Sequence, residues 1–248
     1  MLTTICFLAI LLAWTTPTES FSPNHCSSRT LTDLQSSTDP HESPKQDVII
    51  RYLGRGDRAI VREGCVLVAP NHEYNHFLMR SVVFVHAIGI NEYGEDVARG
   101  VIIDHPTAFT MGEMGGGSVS GVLAENILYR GGDNGNDAAM LLHSVGSSVS
   151  TKKTEGDDTC DEKAYDIACG EEIGTSGIYE GGIRDAMNLV DQAIVNAEKF
   201  KFFFNYVEFT DKELEGMLSA TDSDGDAWVS LEVPSGFVLK DYGDRGDA

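Results

Sequence analysis

The sequence predicts one compact domain in which a strand-rich first half is followed by helices and further strands. Three observations predict it: short Val-, Ile- and Leu-rich runs separated by turn residues from Gly64 onward, an amphipathic stretch beginning at Ile183, and a capped helix start at Thr210. The chain has 248 residues, and what remains after its targeting segments suits a single core.

The opening MLTTICFLAILLAW holds an apolar run of about ten residues, too short to span a bilayer and right for a secretory signal. Small residues follow, so cleavage after Ser20 leaves Phe21 leading. Residues 21–46 begin Phe-Ser-Pro, are Ser/Thr-rich and carry Arg29 ahead of their first acid, Asp33. The two segments together resemble the bipartite presequence of algae with complex plastids, although Asp33, Asp39 and Glu42 give more acid than a transit peptide carries. The expected destination is a plastid (chloroplast) reached through the secretory route; secretion is the alternative.

From Gly64 the runs CVLVA, SVVFVHAIGI, RGVIID, NILYR and MLLHSV read as strands. Residues 147–175 have few large apolar side chains and many Gly, Ser and acids, the composition of a loop insertion. In IRDAMNLVDQAIVNAEK, Ile183, Met187, Val190, Ile194 and Ala197 recur at three- and four-residue steps, predicting an amphipathic helix with a core-facing stripe. FKFFFNYVEF reads as a buried strand, and Thr210 with Glu213 forms a capping box that starts a second helix. AWVSLEVP is a last strand ended by Pro234, and residues 241–248 are a loose tail.

Lys plus Arg total 18 against 39 Asp plus Glu, a formal net charge of -21. Such a chain repels polyphosphate, so direct nucleic-acid contact is excluded as an expectation, and an anionic membrane surface is disfavoured in the mature form. Of five cysteines, Cys6 and Cys26 fall in the targeting region; Cys65 reads as a small buried hydrophobe, while Cys160 and Cys169 either pair across a loop or stay as thiols.

Two motifs suggest metals. His72-Glu73-x-x-His76 spells a zinc-hydrolase signature, in which two imidazoles one helical turn apart hold the metal and Glu73 acts as base. The strand pattern that begins at Ser81 leaves little helix to carry it, and Met79 and Val82 stand where the extended signature has glycine and a third histidine. A turn between two strands is the expected structure, and zinc hydrolysis the alternative. Asp222, Asp224 and Asp226 begin like a calcium loop, but Ala227 stands at the turn glycine and Val233 at the bidentate glutamate, so weak calcium binding is a further alternative. MGEMGGGS and YRGGDNGND are Gly-rich without a phosphate-cradling lysine and read as turns; His86 and His143 read as satisfied core histidines.

GCVLVAPNHEYNHFLMRSVVFVHAIGINEYGEDVARGVIIDHP resembles the YqgE/AlgH family, a bacterial and plastid group often labelled transcriptional regulators. Gly64 to Pro70 follow its first strand, Phe77 with Arg80 to Val83 its Phe-x-Arg-Ser-Val-Val block, and Gly100 to Pro106 its Gly-x-x-x-Asn-x-Pro turn, with Asp104 for Asn. Gly131-Gly132 and the following Leu142-His143 echo a Gly-Gly-Pro turn and Leu-His, with Asp133 for Pro. FFFNYVEF, ELEGML and DAWVSLEVP echo Phe-x-x-Gly-Tyr-x-Gly-Trp, Gln-Leu-Glu and Trp, with Asn205, Glu208, Phe209 and Glu213 departing. The zinc spelling falls in the family's variable loop.

The resemblance covers most of residues 58–240. It implies an α+β domain over residues 47–240 with a mixed, partly closed β-sheet and flanking helices, no cofactor and no catalytic residues. The implied role is non-enzymatic, regulatory or scaffolding, through an unknown protein partner or a small ligand held near Arg80, Asp104, His105, Gly131 and Gly132. Arg80 either binds an anion or pairs with a neighbouring acid, and the abundance of acids favours the pairing.

Overall fold

The structure is a computed structural model that describes residues 49–115, 117–146, 170–221 and 225–242, all within the unit Asp47–Ala248. The readings of the presequence, of Cys160, Cys169, Asp222 and Asp224, and of residues 243–248 lie outside the described residues.

Eleven strands make one sheet: β1 (Arg51–Arg55), β2 (Val66–Val68), β3 (Val82–Ile90), β4 (Asp96–Ile102), β5 (Pro106–Thr110), β6 (Ile127–Arg130), β7 (Asn134–His143), β8 (Gly170–Glu172), β9 (Tyr179–Gly181), β10 (Phe200–Thr210) and β11 (Val229–Glu232). The order is β1-β11-β2-β3-β4-β10-β7-β9-β8, with β6 added against β10 and β5 against β6. Among the described residues four short α-helices accompany it: α1 (Met111–Met114), α2 (Ile183–Asp191), α3 (Asp211–Ser219) and α4 (Ser235–Val238). The α+β class holds, and the sheet is mixed because β6 runs parallel to β10 while the other pairs are antiparallel. The expected partial closure does not hold: among the described residues no pairing joins β1 to β8, so the sheet is open.

Both faces of the sheet are covered, which is why its strands read as continuous apolar runs rather than strict alternation. Val66, Phe84 and Phe203 meet in one cluster with Ile178 and Val238. Leu67, Val83 and Val85, from the alternate positions of β2 and β3, join Trp228 and Leu218 in a second. Phe200 and Phe202 pack with Leu189 and Val190 of α2 in a third. Cys65 is buried in the second cluster, as expected, and burial pushes its thiol pKa up.

β10 is the strand on which everything else is hung. Its second half pairs with β4, and its first half lies between β6 on one edge and β7 on the other. Because β6 and β7 flank opposite edges, the three residues 131–133 that join them must cross the face of β10. Gly131 and Gly132 make the crossing: a Cβ on Gly131 would stand 2.2 Å from Asn205 O, and one on Gly132 would stand 2.1 Å from the Tyr206 carbonyl carbon. No side chain fits there. β10 bends at the same place, where Asn205 adopts a left-handed φ of 61° and the pairing with β7 slips between Phe204 and Tyr206. Asparagine is the residue other than glycine that tolerates this conformation best, which explains how Asn205 stands where the family pattern has glycine.

Several elements depart from the sequence reading. α2 ends at Asp191 rather than near Lys199, with Ala193 left-handed at φ 55°; Ile194 and Ala197 still pack on the cluster that α2 covers, so the apolar period outlasts the helix. The expected loop over 147–175 gives way at Gly170 to β8, and Ile173 is buried, because the hairpin with β9 supplies the backbone bonds that the polar composition hides. YRGGDNGND is not all turn, since β7 begins at Asn134, and MGEM of the first Gly-rich stretch is the capped turn α1. The capping box of Thr210 and Glu213 is present as expected. No helix among the described residues is long and apolar enough to cross a membrane.

Candidate functional site

At the end of the β6–β10–β7 crossing, three connections converge. Gly131 N–H donates to Phe204 O (2.8 Å), Ile102 N–H donates to Gly131 O (2.9 Å), and Arg130 N–H donates to His105 O (2.9 Å). Asp104, the first residue after this end of β4 and Ile103, accepts Val82 N–H on Oδ1 (3.1 Å), which ties the start of β3 to the same corner. Two residues before Val82 is Arg80, exposed and left-handed at φ 58°. Arg130 is exposed as well, with its guanidinium carbon 4.4 Å from the centre of the Phe77 ring.

Behind Asp104 lies a buried lysine. Lys201 of β10 is 3% exposed, and its ammonium donates to Ile103 O (2.7 Å), Lys240 O (2.8 Å) and Val238 O (3.2 Å). Three donors meet three carbonyls, and the ammonium stands 3.9 Å from the centre of the Tyr129 ring and 4.7 Å from that of Tyr242. Tyr129 Oη donates to Asp241 Oδ1 and accepts Tyr242 N–H (2.6 Å), while Tyr242 Oη donates to Phe237 O (3.0 Å). These bonds strap residues 235–242 onto β6 and β10. Asp241 and Tyr242, the first two residues of the segment read as a loose tail, are therefore anchored.

Burial dominates the electrostatics of this cluster. It pushes the Lys201 pKa down to about 7, against the opposing pull of Asp241 and Asp104. It raises the Asp104 carboxyl, an effect that the Val82 N–H, His105 and Lys201 only partly offset. Tyr242 is pushed up to about 12 by burial and then by the charge of Asp104. An open cleft of about 720 Å³ lies between the strap and residues 197–201, with Asn126, Ser144, Lys199, Lys240 and Asp241 on its walls and Tyr129 and Lys201 at its floor.

Across residues 66–243 the chain matches the AlgH-like family. The protein belongs to that family. Among solved structures, this AlgH-like chain is similar to the solution structure of the AlgH protein from Pseudomonas aeruginosa, at 16% identity over 82% of this chain and 85% of that one, with a TM-score of 0.45. The crystal structure of protein DIP2367 from Corynebacterium diphtheriae is similar at 16% identity over 71% and 78%, with a TM-score of 0.45. No curated protein sequence matches.

In this AlgH-like domain the backbone bonds bring Asp104, His105 and Gly131 to one corner, with Gly132 beside them and Arg80 at its edge. The two glycines are needed for the crossing itself, where a Cβ on either would meet the backbone of β10. The expected pairing of Arg80 with an acid is absent: among the described residues no ion pair involves it, and Asp104 accepts Val82 N–H instead.

His72 and His76 lie in turns before β3 and are exposed, not on one face of a helix. Glu73, the base of the zinc reading, instead accepts the indole N–H of the buried Trp228 (2.7 Å) and Asn75 N–H (3.2 Å). Among the described residues no group of three His, Cys, Asp or Glu is placed to hold a metal ion. Asp226 is paired with Arg55 (2.9 Å) and accepts from Asn71 (3.3 Å).

His86 and His143 are buried as expected but not satisfied. Neither ring nitrogen of His86 has a hydrogen-bond partner, although Nδ1 lies 3.5 Å from Glu180 Oε2. His143 accepts Val145 N–H on Nδ1 (3.3 Å), leaves Nε2 bare, and has its pKa lowered by burial.

Sequence reasoning missed Lys201, Tyr129, Asp241 and Tyr242. The one signal was a lysine inside the apolar run FKFFFNYV, a position that burial makes costly unless partners wait for it.

Proposed function

We propose that this AlgH-like protein is a non-enzymatic binding protein with a regulatory or scaffolding role, acting at the corner of Arg80, Asp104, His105, Gly131 and Gly132. One observation supports the reading above others: the ionisable groups of the Lys201 cluster are engaged with the protein's own chain, whereas the arginines at the outer edge are outside any ion pair among the described residues. Lys201 has all three donors on carbonyls, Asp104 is held by Val82 N–H, and Asp241 is held by Tyr129. Arg80 and Arg130 are exposed and outside any ion pair among the described residues.

The test is capture on immobilised protein, comparing wild type with the Arg80→Ala, Arg130→Ala double variant. A defined set of molecules held by wild type and lost from the variant is the expected result. Equal retention by both would remove the corner from the account.

The composition of residues 1–46 supports plastid import through the secretory route. A fluorescent protein fused behind this segment should accumulate in plastids; fluorescence in the medium would mean secretion instead.

A further inference from the structure

We infer that what this corner recognises is an oxyanion, a phosphate or carboxylate group gripped by Arg80 and Arg130 beside His105. The inference rests on the reading of the corner as a binding site and names the chemistry of its ligand.

Charge carries the first step. In a chain with 39 acids and 18 Lys plus Arg, a carboxylate is the easiest partner for an arginine to find. Arg51 and Arg62 both reach Glu232, Arg55 reaches Asp226, and Arg99 donates from Nε to Glu208 at 2.6 Å. Among the described residues Arg58, Arg80, Arg130 and Arg184 are outside any ion pair, and of these Arg80 and Arg130 flank one corner, Arg80 two residues before Val82 on Asp104 and Arg130 through its N–H on His105 O.

The corner's own acid is not available to them. Asp104 faces inward, its Oδ1 accepting Val82 N–H (3.1 Å).

Geometry carries the second step. Arg130 is braced against Phe77, its guanidinium carbon 4.4 Å from the ring centre. Bracing matters because a fixed guanidinium loses little freedom when it binds. Arg80 is held in a left-handed conformation, φ 58°, that residues other than Gly, Asn and Asp seldom adopt. That conformation is kept by Ser81 N–H donating to Leu78 O (3.1 Å) just before Val82 docks on Asp104.

The probes are inorganic phosphate, a phosphoserine peptide, a polyglutamate peptide, and an uncharged peptide of the same length. Each is titrated at constant chloride into the full chain, with the Nε–H signals of Arg80 and Arg130 and the amide signals of His105 and Gly131 followed by NMR. Saturable shifts with at least one oxyanion probe, weakened tenfold or more in Arg80→Gln and in Arg130→Gln while amides of β2 and β11 stay unmoved, are expected. Binding of inorganic phosphate alone would identify a free anion as sufficient, and binding only of the peptides an oxyanion carried on a partner chain; either supports the inference.

If the uncharged peptide moves His105 and Gly131 while no oxyanion does, the ligand class is wrong and the binding corner stands. If no probe moves the corner, both fail. Shifts that follow ionic strength without saturating show screening only, and would overturn the inference.

Discussion

Gly132→Ala is expected to cost about 3 kcal/mol of stability, or to prevent folding outright. The added methyl would stand 2.1 Å from the Tyr206 carbonyl carbon, 2.2 Å from its oxygen and 2.4 Å from Val207 N. All three are backbone atoms of the strand that pairs with β4, β6 and β7, so no rotamer change can relieve the clash. β10 would have to part from one neighbour. Urea unfolding of wild type, Gly132→Ala and Gly216→Ala checks this, since Gly216 lies in α3 with nothing within 4 Å of its would-be Cβ and should be neutral or mildly stabilising. A Gly132→Ala midpoint equal to wild type would refute the crossing described for residues 131–133.

Lys201→Met should be the other severe substitution, for the opposite reason: it leaves a void of partners rather than an excess of atoms. The carbonyls of Ile103, Val238 and Lys240 would lose their donor, each at about 1–3 kcal/mol, offset in part by no longer burying an ionisable group. A net loss of about 3 kcal/mol is expected, with residues 235–242 becoming the first segment cut in limited proteolysis.

The pH dependence gives a second reading of the same residue. Lys201 has an ordinary value of 10.5 and is held at about 7 in the fold. Between those values the unfolded chain carries a proton that the folded chain has shed, so raising the pH favours folding. Wild-type stability should therefore climb from pH 7 toward pH 10, where Tyr242, raised to about 12, begins to act in the other direction. Lys201→Met should lack the climb. A wild-type curve that is flat or falling over that window, parallel to the variant's, would contradict the account.

Much of the sheet was legible because its strands are buried on both faces and so announce themselves as apolar runs. Val82 to Ile90, Ile127 to Arg130 and Phe200 to Thr210 were readable in this way. β1, β8 and β9 were not: RYLGR, GEE and YEG lie at or near the two ends of the sheet, where pairing is made by backbone and side chains say little. The helix at Thr210 showed itself through its cap, whereas α2 was overextended because Ile194 and Ala197 keep the helical period after the backbone has turned.

The corner was legible only through family likeness, as two signature turns far apart in sequence. The reason those turns matter lies in their meeting. Gly131-Gly132 and Asn205-Tyr206 are the two sides of one strand crossing, and no local pattern in either reports the other. The lysine cage was illegible because the oxygens that hold Lys201 belong to the backbone of Ile103, Val238 and Lys240, which carries no residue code.

The pairing of β1 with β11, Arg51 opposite Glu232, sets a condition on how the molecule can be made. A ribosome delivers β1 and β2 early, yet the strand that belongs between them is the last of the sheet to emerge. Until it does, one edge of β2 and the whole of β1 are without their neighbour, and the nascent chain carries an open ladder that any other strand could fill. Chains halted before residue 229 should accordingly be the sticky ones, and a folding helper that shields bare strand edges during synthesis would act mainly on this interval.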